Sequence, residues 1–360
     1  MGLVITPLQT PRRFNPLAQP LQASQNLGGR QLVWRFDGGD ITSDGGALVL
    51  KKLEERTRIV KRFAACFTDY RNPKLIEHPL LDLIVQRVFG LALGYEDLND
   101  HDELRRDPML AVALSKDDVK GEQRRRAQDR GKALAGKSTL NRLELTAPDY
   151  DGSPRQKESD KPETKKIGMD PESIDALLVD LFLEAHEQAP EQIVLDMDAT
   201  DDILYGKQEG RFYHGYYHDY CYLPLYVFCG EHLLCARLRM SNIDASADSV
   251  EELEPVVARI RQRWPAVKIV LRGDGGFCRE KLMAWCEREG MHYILGLAQN
   301  ARLKKQIEPE MAQAAAQYEQ TKAPARVFTE FFYATDKTWS RQRGGLPRPS
   351  TSPKAPIPAS

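Results

Sequence analysis

Cysteine is scarce in this chain and follows no ligand pattern. There are six in 360 residues, at 66, 221, 229, 235, 278 and 286, and none are spaced C-x-x-C. A disulfide scaffold is excluded. His214, His218 and His232 lie among them, but zinc-ligand spacing is missing, so reduced core thiols are expected. Also absent is any apolar run of about 18 residues, which excludes a membrane span. The first thirty residues carry Arg12, Arg13 and scattered prolines without a signal-peptide core, so the expected location is the cytoplasm. Neither sign of charge dominates: 51 Lys and Arg against 52 Asp and Glu give a formal net charge of −1. A uniformly basic surface is excluded, whereas an acidic face that offsets local basic patches is not.

Two segments carry most of the information, Ile193-Val-Leu-Asp-Met-Asp-Ala-Thr200 and Ile269-Val-Leu-Arg-Gly-Asp-Gly-Gly-Phe277. Each is an aliphatic, β-branched run leading to aspartate, the pattern of a buried strand with a carboxylate at its tip. Alternation puts Val194, Asp196 and Asp198 on one face and Leu195 and Met197 on the other. Asp274 follows the second run directly, between glycines that permit close approach. Carboxylates on neighbouring strand ends can hold Mg²⁺, a hard cation that prefers oxygen. Either aspartate alone reads as a turn or helix cap. What lies between them decides for the pair.

Residues 211–220 and 222–229 read as strands, 230–231 as a turn and 232–240 as a further strand. Residues 244–263 read as a helix, with Val250, Leu253, Val256, Val257 and Ile260 at helical spacing, stopped by Pro265. After Asp274 come a helix over about 279–288 and a strand over 292–297. Three antiparallel strands, a helix, a strand, a helix and a strand, with acids on the first and fourth strands, describe an RNase H-like core.

Ten motifs then carry a family resemblance. They are Thr42-Ser-Asp-Gly-Gly46, Gln86-Arg-Val-Phe89, Gly94-Tyr-Glu-Asp97, Leu104-Arg-Arg-Asp-Pro108, Ser138-Thr-Leu-Asn-Arg-Leu-Glu144, Leu195-Asp-Met-Asp-Ala-Thr200, His214-Gly-Tyr-Tyr217, Leu223-Pro-Leu225, Arg272-Gly-Asp-Gly-Gly-Phe277 and Gly296-Leu-Ala-Gln-Asn300. In this order, over about residues 31–343, the chain resembles the DDE transposases of the IS4-related superfamily, and within it the IS1380 group. The resemblance implies Asp198 as the first catalytic acid and metal ligand, Asp274 as the second, and Asp196 as the fallback for the first. It further implies Mg²⁺ or Mn²⁺ as cofactor, DNA as partner (terminal inverted repeats and target), a homodimer on paired ends, and a nucleoid-associated location.

Such enzymes hydrolyse a phosphodiester and join the freed 3′-hydroxyl to target DNA, and holding two metal ions takes about three carboxylates. In the family the third acid is a Glu on a late helix, beyond a β-rich insertion, with Tyr and Arg before it and Lys after. Residues 326–338 read like the start of that insertion, with Phe328, Phe331, Phe332 and Tyr333; Glu330 sits within it and lacks the helical setting. After Arg343 the chain turns Pro-rich and contains no acid, so residues 344–360 read as disordered and the third acid as missing. A shifted reading frame is one account, since codons chosen for residues 349–360 and read one nucleotide earlier can spell a family-like continuation. A naturally variable terminus is the other.

The N-terminal half reads as helical over 45–60, 79–93 and 100–114, then turns basic. Arg124, Arg125, Arg126, Lys137 and Arg142 are candidate phosphate contacts, joined by Lys304 and Lys305 farther on. Gly131-Lys-Ala-Leu-Ala-Gly-Lys-Ser138 matches the P-loop letters, but residues 121–130 are too polar for the buried strand a P-loop needs. Nucleotide hydrolysis is rejected on that ground. The expected fold class is α+β: a flexible arm at 1–30, a mostly helical DNA-binding domain at 31–150, a charged linker at 151–172, an incomplete RNase H-like catalytic core at 173–320, an insertion start at 321–343 and the tail. The function expected is that of an insertion-sequence transposase with impaired catalysis; a non-catalytic DNA-binding remnant is the alternative.

Overall fold

The computed structural model describes residues 42–144, 146, 166–327 and 329–345, and the backbone of strands Gly2–Ile5, Ala23–Leu27, Arg30–Arg35 and Ser350–Thr351. It divides into two compact units, residues 1–177 and 178–360. Helices and sheets are mixed in both. No helix among the described residues is long and apolar enough to cross a membrane.

The second unit is built on a five-stranded sheet. Its core strands are, in chain order, Gln192–Ala199, Leu225–Cys229, His232–Arg237, Lys268–Gly273 and His292–Leu295. In space the order is third, second, first, fourth, fifth. The first three are antiparallel neighbours, and the fourth and fifth run parallel to the first. This order and these directions are those of an RNase H-like core. Ile193, Leu195 and Met197 point into the buried cluster, as do Ile269 and Leu271 of the fourth strand. Helix Ser249–Arg263 covers that face with Leu253, Val256, Val257 and Ile260, all buried. Acids in its first turn and arginines in its last complement the helix dipole.

Several expectations are corrected. Residues 211–220 do not add a core strand: Asp202–Ile203, Phe212–His214 and Asp219–Tyr222 form a separate three-stranded sheet. Strand propensity marks extended backbone, not the sheet it joins. The helix read over 100–114 is two, because Asp107 caps the Leu110 N–H (2.9 Å) and Pro108 opens a new helix, Pro108–Ala113. The helix read from 244 starts at Ser249, residues 244–248 being turns. Within the stretch read as a flexible arm, Gly2–Ile5 and Ala23–Leu27 both pair with Arg30–Arg35. Most of the linker lies outside the described residues, but Ile167–Met169 pairs with Phe67–Asp69 and buries Ile167. Within the stretch read as a disordered tail, Gly344 and Gly345 pair with Phe332 and Phe331, and Ser350–Thr351 pairs with Ala325–Arg326. All of these keep the N–H that the neighbouring prolines lack. Phe328 lies outside the described residues.

The first unit's motifs brace its own helices. Gln86, buried, donates to the Ala135 carbonyl (2.7 Å) and accepts from its N–H (3.0 Å). Tyr95 donates to Asp44 (3.0 Å), and Thr42 donates to Asp107 (2.7 Å). Arg87 pairs with Glu144 and donates to the Tyr95 carbonyl at 3.1 Å.

Candidate active site

The fourth core strand runs beside the first with Arg272 opposite Asp196 and Gly273 opposite Met197. One step further in this parallel register sets Asp274 level with Asp198, on strands about 4.8 Å apart. Both aspartates are exposed at the strand ends, on the side of the sheet away from Leu195 and Leu271. Tyr217 sits at the end of the first core strand. Its hydroxyl donates to the Ala199 carbonyl (3.1 Å). Its pKa is raised, first by burial and then by the negative charges of Asp201, Asp198 and Asp274. The His214–Tyr217 motif does not by itself give Tyr217 this place, and nothing in the sequence marks Asp201.

The Asp274 loop is tightly constrained. The Gly276 N–H donates to Asp274 Oδ1 (2.8 Å), so the aspartate does make a turn as well. That bond leaves the other carboxylate oxygen available. Gly296 donates its N–H to the Gly273 carbonyl (2.9 Å), and a Cβ there would sit 2.6 Å from the Gly275 nitrogen and 2.9 Å from the Asp274 carbonyl carbon. Gly276 is similarly confined by the Ala245 methyl at 3.0 Å. The segment carrying Ala245 is held by Arg239, a buried guanidinium that donates to the carbonyls of Leu223 (3.0 Å), Ala247 (2.6 Å) and Ala245 (3.1 Å). Arg279 pairs with Asp244 at 2.8 Å and closes the same corner. Nothing local in the sequence marks Arg239, because its partners are backbone carbonyls. Gly296→Ala is expected to cost about 1–3 kcal/mol through overpacking against backbone, read in urea melts, and to shift the amide resonances of residues 274–277. Wild-type spectra from the variant would remove the constraint.

Asp196 is engaged otherwise. Its carboxylate binds Arg272 through Nε, and through Nη2 at 2.6 Å. Glu330, exposed, lies just before strand Phe331–Tyr333. Among the described residues no group of three His, Cys, Asp or Glu side chains comes together as a metal site. The six cysteines are free, and burial pushes the Cys286 thiol up to about 12.

The basic residues divide. In the first unit, a cleft of about 590 Å³ is lined by Arg71, Arg105, Arg124, Arg126, Lys132 and Arg142 among others, and by Ser138 and Thr139 at the start of helix Lys137–Glu144. Arg124 braces the cleft wall, pairing with Glu77 (3.2 Å) and donating to the Lys132 carbonyl (2.6 Å). Arg125 donates to the Lys74 carbonyl (3.0 Å). Lys137 binds Asn99 (2.9 Å) and Asp102 (3.5 Å). Arg126 and Arg142 are exposed and find no side-chain partner among the described residues. His78, buried beside the cleft, has its pKa lowered to about 3, first by burial and then by Arg124 and Lys116. Lys304 and Lys305 are exposed on helix Ala301–Gln306 of the second unit. The P-loop letters are preceded by a 3₁₀ turn, Ala127–Asp129, and not by a strand.

No curated protein matches this sequence. The family described as transposase DDE domain group 1 matches residues 24–347, a span that includes both units' cores and both aspartates. By that match, the chain belongs to the DDE transposase family.

Proposed function

We propose that the chain is an insertion-sequence transposase of the IS1380 group, IS4-related, in which Asp198 and Asp274 hold the divalent metal for DNA strand cleavage and strand transfer. The observation that supports this reading is the parallel register of the fourth core strand on the first, which ends at Gly273 opposite Met197, one residue before Asp274 and Asp198. The donor set is two exposed carboxylates, the oxygen ligands that Mg²⁺ or Mn²⁺ prefers. Bound there, the metal would supply Lewis-acid activation for in-line displacement at phosphorus. The chain's own contribution is placement. Gly296 and Gly276 fix the Asp274 loop, Arg239 and Arg279 fix its flank, and Arg272 holds Asp196 out of the metal pair. Mn²⁺ binding, read by EPR, is expected to be lost in Asp198→Asn and Asp274→Asn and retained in Asp196→Asn. Loss only in Asp196→Asn would make the fallback the true first acid.

DNA, as terminal repeats and target, is the proposed partner, bound by a homodimer on paired ends in the cytoplasm at the nucleoid. The first unit's cleft is the proposed phosphate-binding face, through Arg126 and Arg142. With two phosphate contacts removed, Arg126→Ala/Arg142→Ala is expected to flatten the salt dependence of duplex binding by about 1.8 log units per log salt. Titrations at about 50 mM and about 200 mM salt measure it. Arg124→Ala is expected to lower stability instead, since Glu77 loses its partner. An unchanged salt slope would leave Arg126 and Arg142 as solvated surface. The alternative reading, a non-catalytic DNA-binding remnant, draws support from the same cleft and from the lack of a third metal ligand among the described residues.

A further inference from the structure

The small sheet beside the carboxylates carries an unusual surface. Tyr213 and Tyr220 lie opposite each other on strands Phe212–His214 and Asp219–Tyr222, with ring centroids 5.6 Å apart and T-shaped. They are 54% and 45% exposed. The Arg211 guanidinium stacks over the Tyr220 ring at 4.6 Å. The turn that joins the two strands carries Tyr216, 80% exposed, whose ring meets Tyr217 edge-on at 5.1 Å. Tyr217 in turn is bonded to Ala199, the residue after Asp198. The turn that links the aromatic pair's strands is thereby tied to the end of the first core strand. The opposite face of the sheet holds Cys221, fully buried, flanked by Phe212 and Ile203 at 39% and 42% exposure.

Exposed rings cost solvation and are retained where something stacks on them. An aliphatic protein partner would call for Leu, Ile or Met at the centre of the patch. Here the centre is phenol rings with an arginine on top, the combination that stacks nucleobases while neutralising a phosphate. We propose that the face formed by Tyr213, Tyr220 and Arg211, with Tyr216 at its edge, stacks the unpaired bases of a DNA strand frayed next to the phosphodiester that Asp198 and Asp274 address. The inference rests on the transposase reading and adds the form of DNA that the second unit takes: locally single-stranded, not fully paired. Base stacking on tyrosine tolerates any sequence, so the face contributes grip near the cut and no base recognition.

The test uses the full chain and three fluorescent probes of one generic sequence: a blunt duplex, the same duplex with a forked end carrying 2-aminopurine in the unpaired arm, and the single strand. The wild type is expected to bind the forked probe on the order of tenfold tighter than the blunt one, with 2-aminopurine quenched on binding. Tyr213→Ala/Tyr220→Ala and Tyr216→Ala should lose the preference and the quenching while binding the blunt duplex as before. Tyr213→Phe/Tyr220→Phe, which keeps the rings, should retain both, and circular dichroism of the alanine variants controls for folding. Salt-dependent binding of the blunt duplex with no preference for the fork would overturn this inference and leave the transposase reading standing. A fork preference that survives the alanine variants would overturn it too, as would self-association abolished by those variants with the DNA preference intact, which makes the face a dimer contact. Binding to none of the probes at low salt would overturn both readings.

Discussion

Incubated with Mg²⁺ and supercoiled plasmid, the 360-residue chain is expected to leave nicking at the background of a metal-free control. Two ions on a transferring phosphoryl group need about three carboxylates, and Asp198 and Asp274 are joined by no third ligand group among the described residues. A two-carboxylate site would bind metal weakly and leave the attacking oxygen out of line. Misplacement by about 1 Å costs on the order of 10²-fold in rate, and loss of one metal altogether costs more. Supplying a Glu on a helix within reach of Asp198 and Asp274 is expected to raise Mg²⁺-dependent nicking above background by that factor or more. Robust nicking by the 360-residue chain, abolished by Asp274→Ala, would place the third ligand within it and remove the argument for impairment.

The two parallel strands that lead to Asp198 and Asp274 were legible because buried parallel strands are written as continuous β-branched runs. The helix of residues 249–263 was legible from its spacing alone, since one side chain in three or four meets the sheet. What the sequence hides is pairing between distant residues. The basic run at 124–126 looks like a phosphate comb, yet Arg124 spends its guanidinium on Glu77, 47 residues earlier. Asp196 and Asp198 look equivalent by alternation, and only the neighbouring strand, 76 residues on, brings Arg272 to the former. Residues 211–220 have the composition of a core strand. They leave the central sheet because the edge beside Gln192–Ala199 is taken by Leu225–Cys229. In the first unit, the family-like motifs make internal braces through Gln86, Tyr95 and Arg87.

Arg343 lies where the composition changes, and its side chain, 6% exposed, grips two carboxylates of helix Glu280–Arg288. It donates to Glu280 at 2.7 and 3.1 Å and to Glu287 at 2.7 and 3.2 Å, while its guanidinium lies 5.6 Å from the Trp339 ring. This joins hairpin Phe331–Tyr333/Arg343–Gly345 to the helix that follows Asp274. Arg343→Ala leaves two half-buried acids facing each other, and is expected to cost about 3 kcal/mol, the low end for a broken buried pair because both glutamates keep some contact with water. The loss should carry a pH signature. Arg343, burial acting against it, and then Ser340 hold the Glu280 carboxyl down to about 2, from an ordinary value of 4.5. A carboxyl depressed on folding contributes stability above its unfolded pKa and loses it as pH falls toward the folded one. Wild-type stability should therefore drop as pH falls from about 4.5 toward about 2, and the Arg343→Ala variant, already without that contribution, should drop less over the same interval. Urea melts of both chains at matched pH values measure the difference. Parallel curves, offset by a constant, would show that Arg343 acts through packing on Trp339 and not through its charge.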